Sequence, residues 1–272
     1  MGKPSAIAIA AHPDDIEFLM AGTLTLLGEA GWDIHYFNLS TGNCGSATIP
    51  ASKLRRLRRA EAKRAAVRLG ATWHPPIADD LEIFYEDRLL RRVAAVIRKV
   101  KPTVVLTHAP VDYMEDHVNT CRLAVTGAFA RGMPNYRTVP SVRPYGEEVT
   151  VYHSMPHGLR GPLGEAVSAS MYVDTTSVEG VKREALAEHR SQRAWLDESQ
   201  GMDSYLLAMQ DFGREVGRRS GRFSVAEGWR KHLHLGFCGA EADPLRDALG
   251  ARVYLRLFTE NGGRRSRDGN GR

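Results

Sequence analysis

The chain has 272 residues, more than one hydrophobic core needs and fewer than two typical domains require, so a single domain over residues 1–260 is expected. Hydrophobic side chains make up 43% and charged ones 25%, with 26 Gly and 13 Pro, a composition that excludes the disordered, collagen-like and low-complexity classes. Part of the net charge of +5 falls in Gly262–Arg272, which has no apolar residue to offset the entropy of ordering, so residues 261–272 are expected to be a disordered basic tail.

The first apolar run, Ala6–Ala11, has strand length, and no segment reaches the roughly 18 to 20 apolar residues that cross a bilayer. The run is also too short for the core of a signal peptide, and Ala6 stands where a myristoylation signal needs Ser or Thr, so a soluble cytoplasmic protein is expected. Phe18–Glu29 follows with helical composition, closed by Gly31, and Ile34–Leu39 alternates as a second strand before the small-residue loop Ser40–Gly45. A long helix over about Ser52–Leu69 ends at Gly70 as a helix-terminating glycine would. Its Arg55, Arg56, Arg58, Arg59, Lys63, Arg64 and Arg68 could suggest nucleic acid, but Leu54, Leu57, Ala65 and Leu69 form an apolar stripe that makes most of these charges a solvated helix face.

Leu89–Lys99 reads as another amphipathic helix, Thr103–Thr107 as the most β-like run, the stretch through Cys121 and Leu123 as a helix, and Val149–His153 as a further strand. From Gly180 onward the chain reads as helical, most clearly over Lys182–Trp195. Strands alternating with helices predict an α/β fold, Rossmann-like, with a mostly parallel sheet, helices on both faces and an appended C-terminal helical and loop layer. Cys44, Cys121 and Cys238 form no C-x-x-C pair, against both a disulfide framework and a structural zinc knuckle.

Ala11-His12-Pro13-Asp14-Asp15 lies directly after the first strand, where ligands bind in open α/β sheets. His12 and Asp15, three residues apart around a helix start, can turn to one point and leave Asp14 over, the spacing of a protein clamp on a metal with a spare carboxylate. The competing reading is that Asp14 and Asp15 merely cap the helix. A second polar cluster, Asp112, Glu115, Asp116 and His117, follows Thr103–Thr107, again at a strand end. A His, an Asp and another His would give a three-ligand site with room for water, as in catalytic zinc centres.

With these two segments the sequence resembles the PIG-L/LmbE family of zinc-dependent N-deacetylases that act on N-acetylglucosamine-type sugars and conjugates. His12-Pro13-Asp14-Asp15 matches its first motif, and Asp112-Tyr113-Met114-Glu115-Asp116-His117 resembles its second, usually Asp-Tyr-His-Pro-Asp-His. The resemblance implies His12, Asp15 and His117 as metal ligands, Asp14 as general base and Arg58 near the sugar. It implies one Zn2+ per chain, other divalent transition metals being compatible with the ligands. The implied partner is a small-molecule N-acetylated sugar or glycoconjugate, without nucleic acid or a membrane span, and a homo-oligomer is compatible with the chain. Weaker echoes are Gly22, Thr41-Gly42, His189–Gln192 and Ala226-Glu227.

The sequence departs from the pattern at Met114, where the family usually places a His that stabilises an oxyanion; Met cannot donate a hydrogen bond, which leaves it a substrate-contact position. Asn43-Cys44 stands where an acidic residue is usual. His157, in a turn between Pro156 and Gly158, is the expected catalytic substitute, ahead of His153, which belongs to the strand. The alternatives are another metal-dependent hydrolase, such as a phosphoesterase with Asp112 and Glu115 at a second metal, or an inactive, non-enzymatic relative.

Overall fold

A computed structural model of the protein describes residues 2–193 and 204–256. The expected basic tail and the end of the Lys182–Trp195 helix lie outside the described residues. The first strand, β1 (Ser5–Ala10), is buried throughout and carries Ala6, Ala8 and Ala10 on one face and Ile7 and Ile9 on the other. This alternation without a polar face is what a strand covered on both sides requires.

Parallel to β1 run β2 (Asp33–Asn38) on one side and β4 (Val104–Thr107) on the other. Beyond them lie β3 (Thr72–His74) and β5 (Thr150–Ser154), also parallel. On the alanine face of β1, α2 (Ala21–Glu29), α3 (Ala51–Arg68) and α6 (Glu179–Ala187) supply Leu24, Leu27, Ala65 and Ala185 to one core. On the isoleucine face, α4 (Asp87–Val100) and α5 (Glu115–Phe129) supply Val93, Ile97 and Leu123 to a second. The chain builds outward from β1 to β2 and β3, then returns to place β4 on the other side. The crevice beyond the carboxyl ends of β1 and β4 is therefore the topological switch point, and both predicted polar motifs open onto it.

Among the described residues the sheet has eight strands in the order β3-β2-β1-β4-β5-β7-β6-β8, which corrects the reading of the chain after Gly180 as helix and loop. Besides α6, α7 (Ser204–Ser220) and α8 (Pro244–Leu249), that region holds β7 (Ala226–Lys231) and β8 (Val253–Leu255). With β6 (Met171–Asp174) these strands pair antiparallel and extend the sheet past β5. Ala-Glu-Gly-Trp-Arg-Lys of β7 lacks an alternating pattern, so its pairing is imposed by its neighbours rather than by its composition. Among the described residues no helix is long and apolar enough to cross a membrane.

The helix predicted over Phe18–Glu29 starts earlier, as α1 (Asp15–Leu19), and breaks at Met20 before α2. A buried carboxylate seats the second piece: the N–H groups of Gly22 and Thr23 donate to Glu227 Oε1 and Oε2, each at 2.8 Å, and Lys182 Nζ lies 2.7 Å from Oε1. A Cβ on residue 22 would fall 2.6 Å from Thr175 Cγ2 and 2.9 Å from Glu227 Oε1, so Gly22 is required by close approach. Both charged groups are about 2–3% exposed. Lys182→Met should therefore cost about 3–5 kcal/mol by leaving the carboxylate buried without its cation, read from a lowered urea midpoint. An unchanged midpoint would remove the pair from the fold's energetics.

Candidate metal centre

His12, two residues past β1, Asp15, the first residue of α1, and His117, in the first turn of α5, each offer a ligand atom, all within 4.8 Å of one another. His12 Nδ1 is 3.4 Å from Asp15 Oδ2, and His117 Nε2 is 3.4 Å from Asp15 Oδ1. The remaining ring nitrogens are held by two further carboxylates, His12 Nε2 by Asp116 Oδ2 at 2.9 Å and His117 Nδ1 by Asp112 Oδ1 at 3.0 Å. Each imidazole is thus oriented by an acid on one edge and turned to Asp15 with the other, the support that metal-binding histidines use. The loop into α5 and the first turn of that helix together supply one candidate ligand and both orienting acids.

His108, to which the sequence assigned no role, lies flat on His117 with ring centroids 4.1 Å apart and planes at 7°. Its Nε2 accepts the Ala11 N–H at 2.9 Å and so ties the loop after β4 to the loop after β1. His108, Asp112 and His117 form a second group of ligand-type side chains, fully buried, in which Asp112 and His117 are already paired. The only local signal for His108 is its position immediately beyond Thr107 at the end of β4.

The electrostatics favour a cation. Burial opposes charging His12, yet its contacts with Asp116 and Asp15 hold its pKa up at about 10. Burial likewise opposes charge on His117, and Asp15 and Asp112 raise it to about 9. For Asp15, burial works toward protonation but is outweighed by His117, His108 and His12, and the carboxyl is held well below its usual range. A buried set of three carboxylates around two imidazoles that attracts protons so strongly fits a divalent cation, and its nitrogen and oxygen donors suit a zinc-type ion. Removing an orienting acid should weaken that grip: Asp112→Asn is expected to lower metal affinity about 10- to 100-fold. Competition with a chromophoric chelator would measure the change, and an unchanged affinity would show that Asp112 does not support His117.

Asp14 stands apart from the ligands. Its backbone is left-handed at φ 108°, a conformation costing about 1–3 kcal/mol and common at functional sites. Although it precedes α1, its side chain makes no capping hydrogen bond, so the helix-capping reading does not hold for Asp14. Instead Oδ2 accepts from Tyr205 Oη at 2.7 Å and from Arg58 Nη2 at 3.3 Å. Burial raises the Asp14 pKa and Asp15 adds to this, against Arg58, His189 and Tyr205.

Arg58 is only 3% exposed, and its guanidinium also donates to Pro13 O at 2.6 Å and Gly42 O at 3.3 Å. Gly42, at φ 75°, leaves room for it, since a Cβ there would lie 2.6 Å from Arg58 Cδ. Arg58 borders the cavity chiefly as the brace of Asp14, rather than as a free fork toward a sugar.

All seven expected site residues, His12, Asp14, Asp15, Arg58, Met114, His117 and His157, line one cavity of about 480 Å³. His157 follows β5 through Pro156 and meets Phe18 edge-on at 5.7 Å and Phe212 face-on at 5.9 Å. Burial lowers its pKa against the pull of Asp15 and Asp112, which favours a neutral ring able to donate one N–H. His153 instead lies in β5, pairs with His108 O and His232 Nδ1 at 2.9 Å each, and does not line the cavity.

Sequence reasoning missed Asp80, which accepts from Ser40 Oγ, Gly42 N and Cys44 N at 2.7–2.9 Å and fixes the loop through residues 40–44. It also missed Tyr205, which reaches Asp14 from 191 residues away and has no local signature.

Residues 7–128 match the family PIG-L, GlcNAc-PI de-N-acetylase. The diacetylchitobiose deacetylase of Thermococcus kodakarensis is 28% identical over 198 residues, covering 68% of this chain and 69% of that protein. The crystal structure of 4-carboxy-2-hydroxymuconate hydratase from Pseudomonas putida KT2440 superposes with a TM-score of 0.67 at 26% identity, over 84% of this chain and 95% of that one. The N,N'-diacetylchitobiose deacetylase of Pyrococcus horikoshii superposes with a TM-score of 0.71 at 23% identity, over 85% and 84% of the two chains, a likeness of fold.

Proposed function

We propose, on the premise that residues 7–128 are a PIG-L family domain, that the chain is a metal-dependent N-deacetylase hydrolysing the acetyl amide of an N-acetylglucosamine-type sugar or conjugate. The observation that carries this reading is Asp14, a cavity-lining carboxylate beside the ligand triad that neither belongs to the triad nor caps its helix. His12, Asp15 and His117 would hold Zn2+, which when bound polarises a carbonyl and acidifies water.

Asp14 takes the proton of the attacking water, whose oxygen joins the acyl carbon. When the C–N bond breaks, the same proton passes to the leaving nitrogen, so the products are an amine and acetic acid, which releases the second water proton to solvent as it ionises. Tyr205 and Arg58 hold Asp14 Oδ2, leaving Oδ1 for this exchange. His157 is the donor for the oxyanion in place of Met114, whose thioether has no proton to give. Asp112, which a two-metal phosphoesterase would need as a ligand, is engaged with His117, and Glu115 is exposed.

Mass spectrometry of the zinc-loaded protein with a panel of N-acetylglucosaminides tests the proposal through loss of the acetyl group. The likeness to a hydratase across 95% of that chain supports a second reading, addition of water to a carbon–carbon double bond by the same base. Gain of one water by an unsaturated acid, with every amide intact, would replace the first reading by the second.

A further inference from the structure

Among the described residues, two non-glycine residues of the cavity wall have left-handed backbones, Asp14 and Leu81. Leu81, at φ 62°, is the unexpected one, because Gly or Asn would sit there with less strain and Leu leaves its side chain 66% exposed. Its backbone is fixed by the metal centre itself: the Leu81 N–H donates at 2.8 Å to Asp116 Oδ2, the same oxygen that holds His12 Nε2. The Leu81 backbone is thereby set in relation to the proposed ligands, and its side chain borders the cavity. Tyr113, 57% exposed, lies edge-on to His117 at 5.6 Å and within 6.3 Å of His157, which itself meets Phe18. Met114 adds a further apolar surface where a polar donor would face the cavity.

Single exposed apolar side chains are ordinary, but a strained one and an aromatic one bordering the same cavity form a surface that a ligand can cover. We propose that this wall is a subsite for an apolar substituent several carbons long on the sugar substrate, with Leu81 and Tyr113 as its specificity-determining residues. It rests on the reading of the cavity as the site of an amide hydrolase acting on sugars. The substituent is either the aglycone or a long N-acyl chain, both of which present the same hydrocarbon surface.

Calorimetric titration of the zinc-loaded protein with product-type ligands, which contain no amide and are not turned over, separates the two sources. One pair is octyl and methyl glucosaminide, the other octanoate and acetate. In at least one pair the longer ligand should bind about 10-fold or more tightly than the shorter, and that ratio should collapse in Leu81→Gly and in Tyr113→Ala. The pair that shows the preference identifies the source. Leu81→Asn, which tolerates the left-handed backbone and presents an amide instead of a hydrocarbon, should lose the preference as well. Equal affinities for long and short ligands in both pairs, or a preference that survives these substitutions, overturns the subsite. A preference that holds while neither an N-acetyl- nor an N-octanoylglucosaminide is hydrolysed overturns the amide-hydrolase reading and leaves the subsite standing as a binding surface.

Discussion

Asp14→Asn should retain its metal and lose about 10² to 10⁴ in kcat, the range by which a positioned general base accelerates proton transfer. The replacement is nearly isosteric, and its oxygen can still accept from Tyr205 Oη at the site where Oδ2 now sits, 2.7 Å away. What is lost is the ability to take a proton and the negative charge that faces Arg58. The side chain caps no helix N–H, but the lost charge leaves the buried Arg58 guanidinium with only its carbonyl acceptors, so the folding midpoint should fall. Metal content, unfolding and turnover measured on the same preparation test all three statements, and near-normal turnover with full zinc would take Asp14 out of the chemistry.

His117→Ala should lose the metal and, with it, at least as much activity as Asp14→Asn. The imidazole lies between Asp15 at 3.4 Å and Asp112 at 3.0 Å, so its removal takes away a ligand and leaves two buried carboxylates facing each other across a void. Elemental analysis should find one zinc in the parent chain and only traces in the variant; an undiminished content would exclude His117 from the ligand set.

The same pairing predicts a direction with pH. With its pKa held at about 9, His117 carries a proton at neutral pH that zinc must displace, and His12, at about 10, carries another. Affinity should therefore climb steeply as pH rises toward about 9 and level off beyond about 10. A flat profile between pH 6 and 8 would contradict this proton competition.

The candidate metal centre was legible because its parts are local in the chain. His12 and Asp15 share one helix start, and Asp112, Asp116 and His117 share another, so spacing alone brings them to two strand ends, and the apolar runs of β1 and β4 identify those ends. The five parallel strands of the sheet were legible for the same reason, except β3, whose three residues are too few to show a pattern. The orienting roles of Asp112 and Asp116 were visible only as polar density, because which nitrogen each acid meets depends on the rotation of two rings. Tyr205, Asp80 and β7 could not be read at all: each acts through a partner far away in sequence, and neither composition nor periodicity records such pairing. Arg58, expected near the sugar, lines the cavity, but its engagement with Pro13 and Gly42 carbonyls depends on the path of two loops.

The carboxylate of Glu227 also bears on how the chain is made. Every proposed metal ligand has left the ribosome once the first 117 residues are out, yet the N–H groups of Gly22 and Thr23 find their acceptor 205 and 204 residues later. Until β7 is synthesised and inserted beside β5, the first N–H groups of α2 lack their acceptor, and contacts of such sequence separation form slowly. A nascent chain ending before residue 226 would thus carry all three proposed ligands while the start of α2 still lacks the carboxylate that satisfies it.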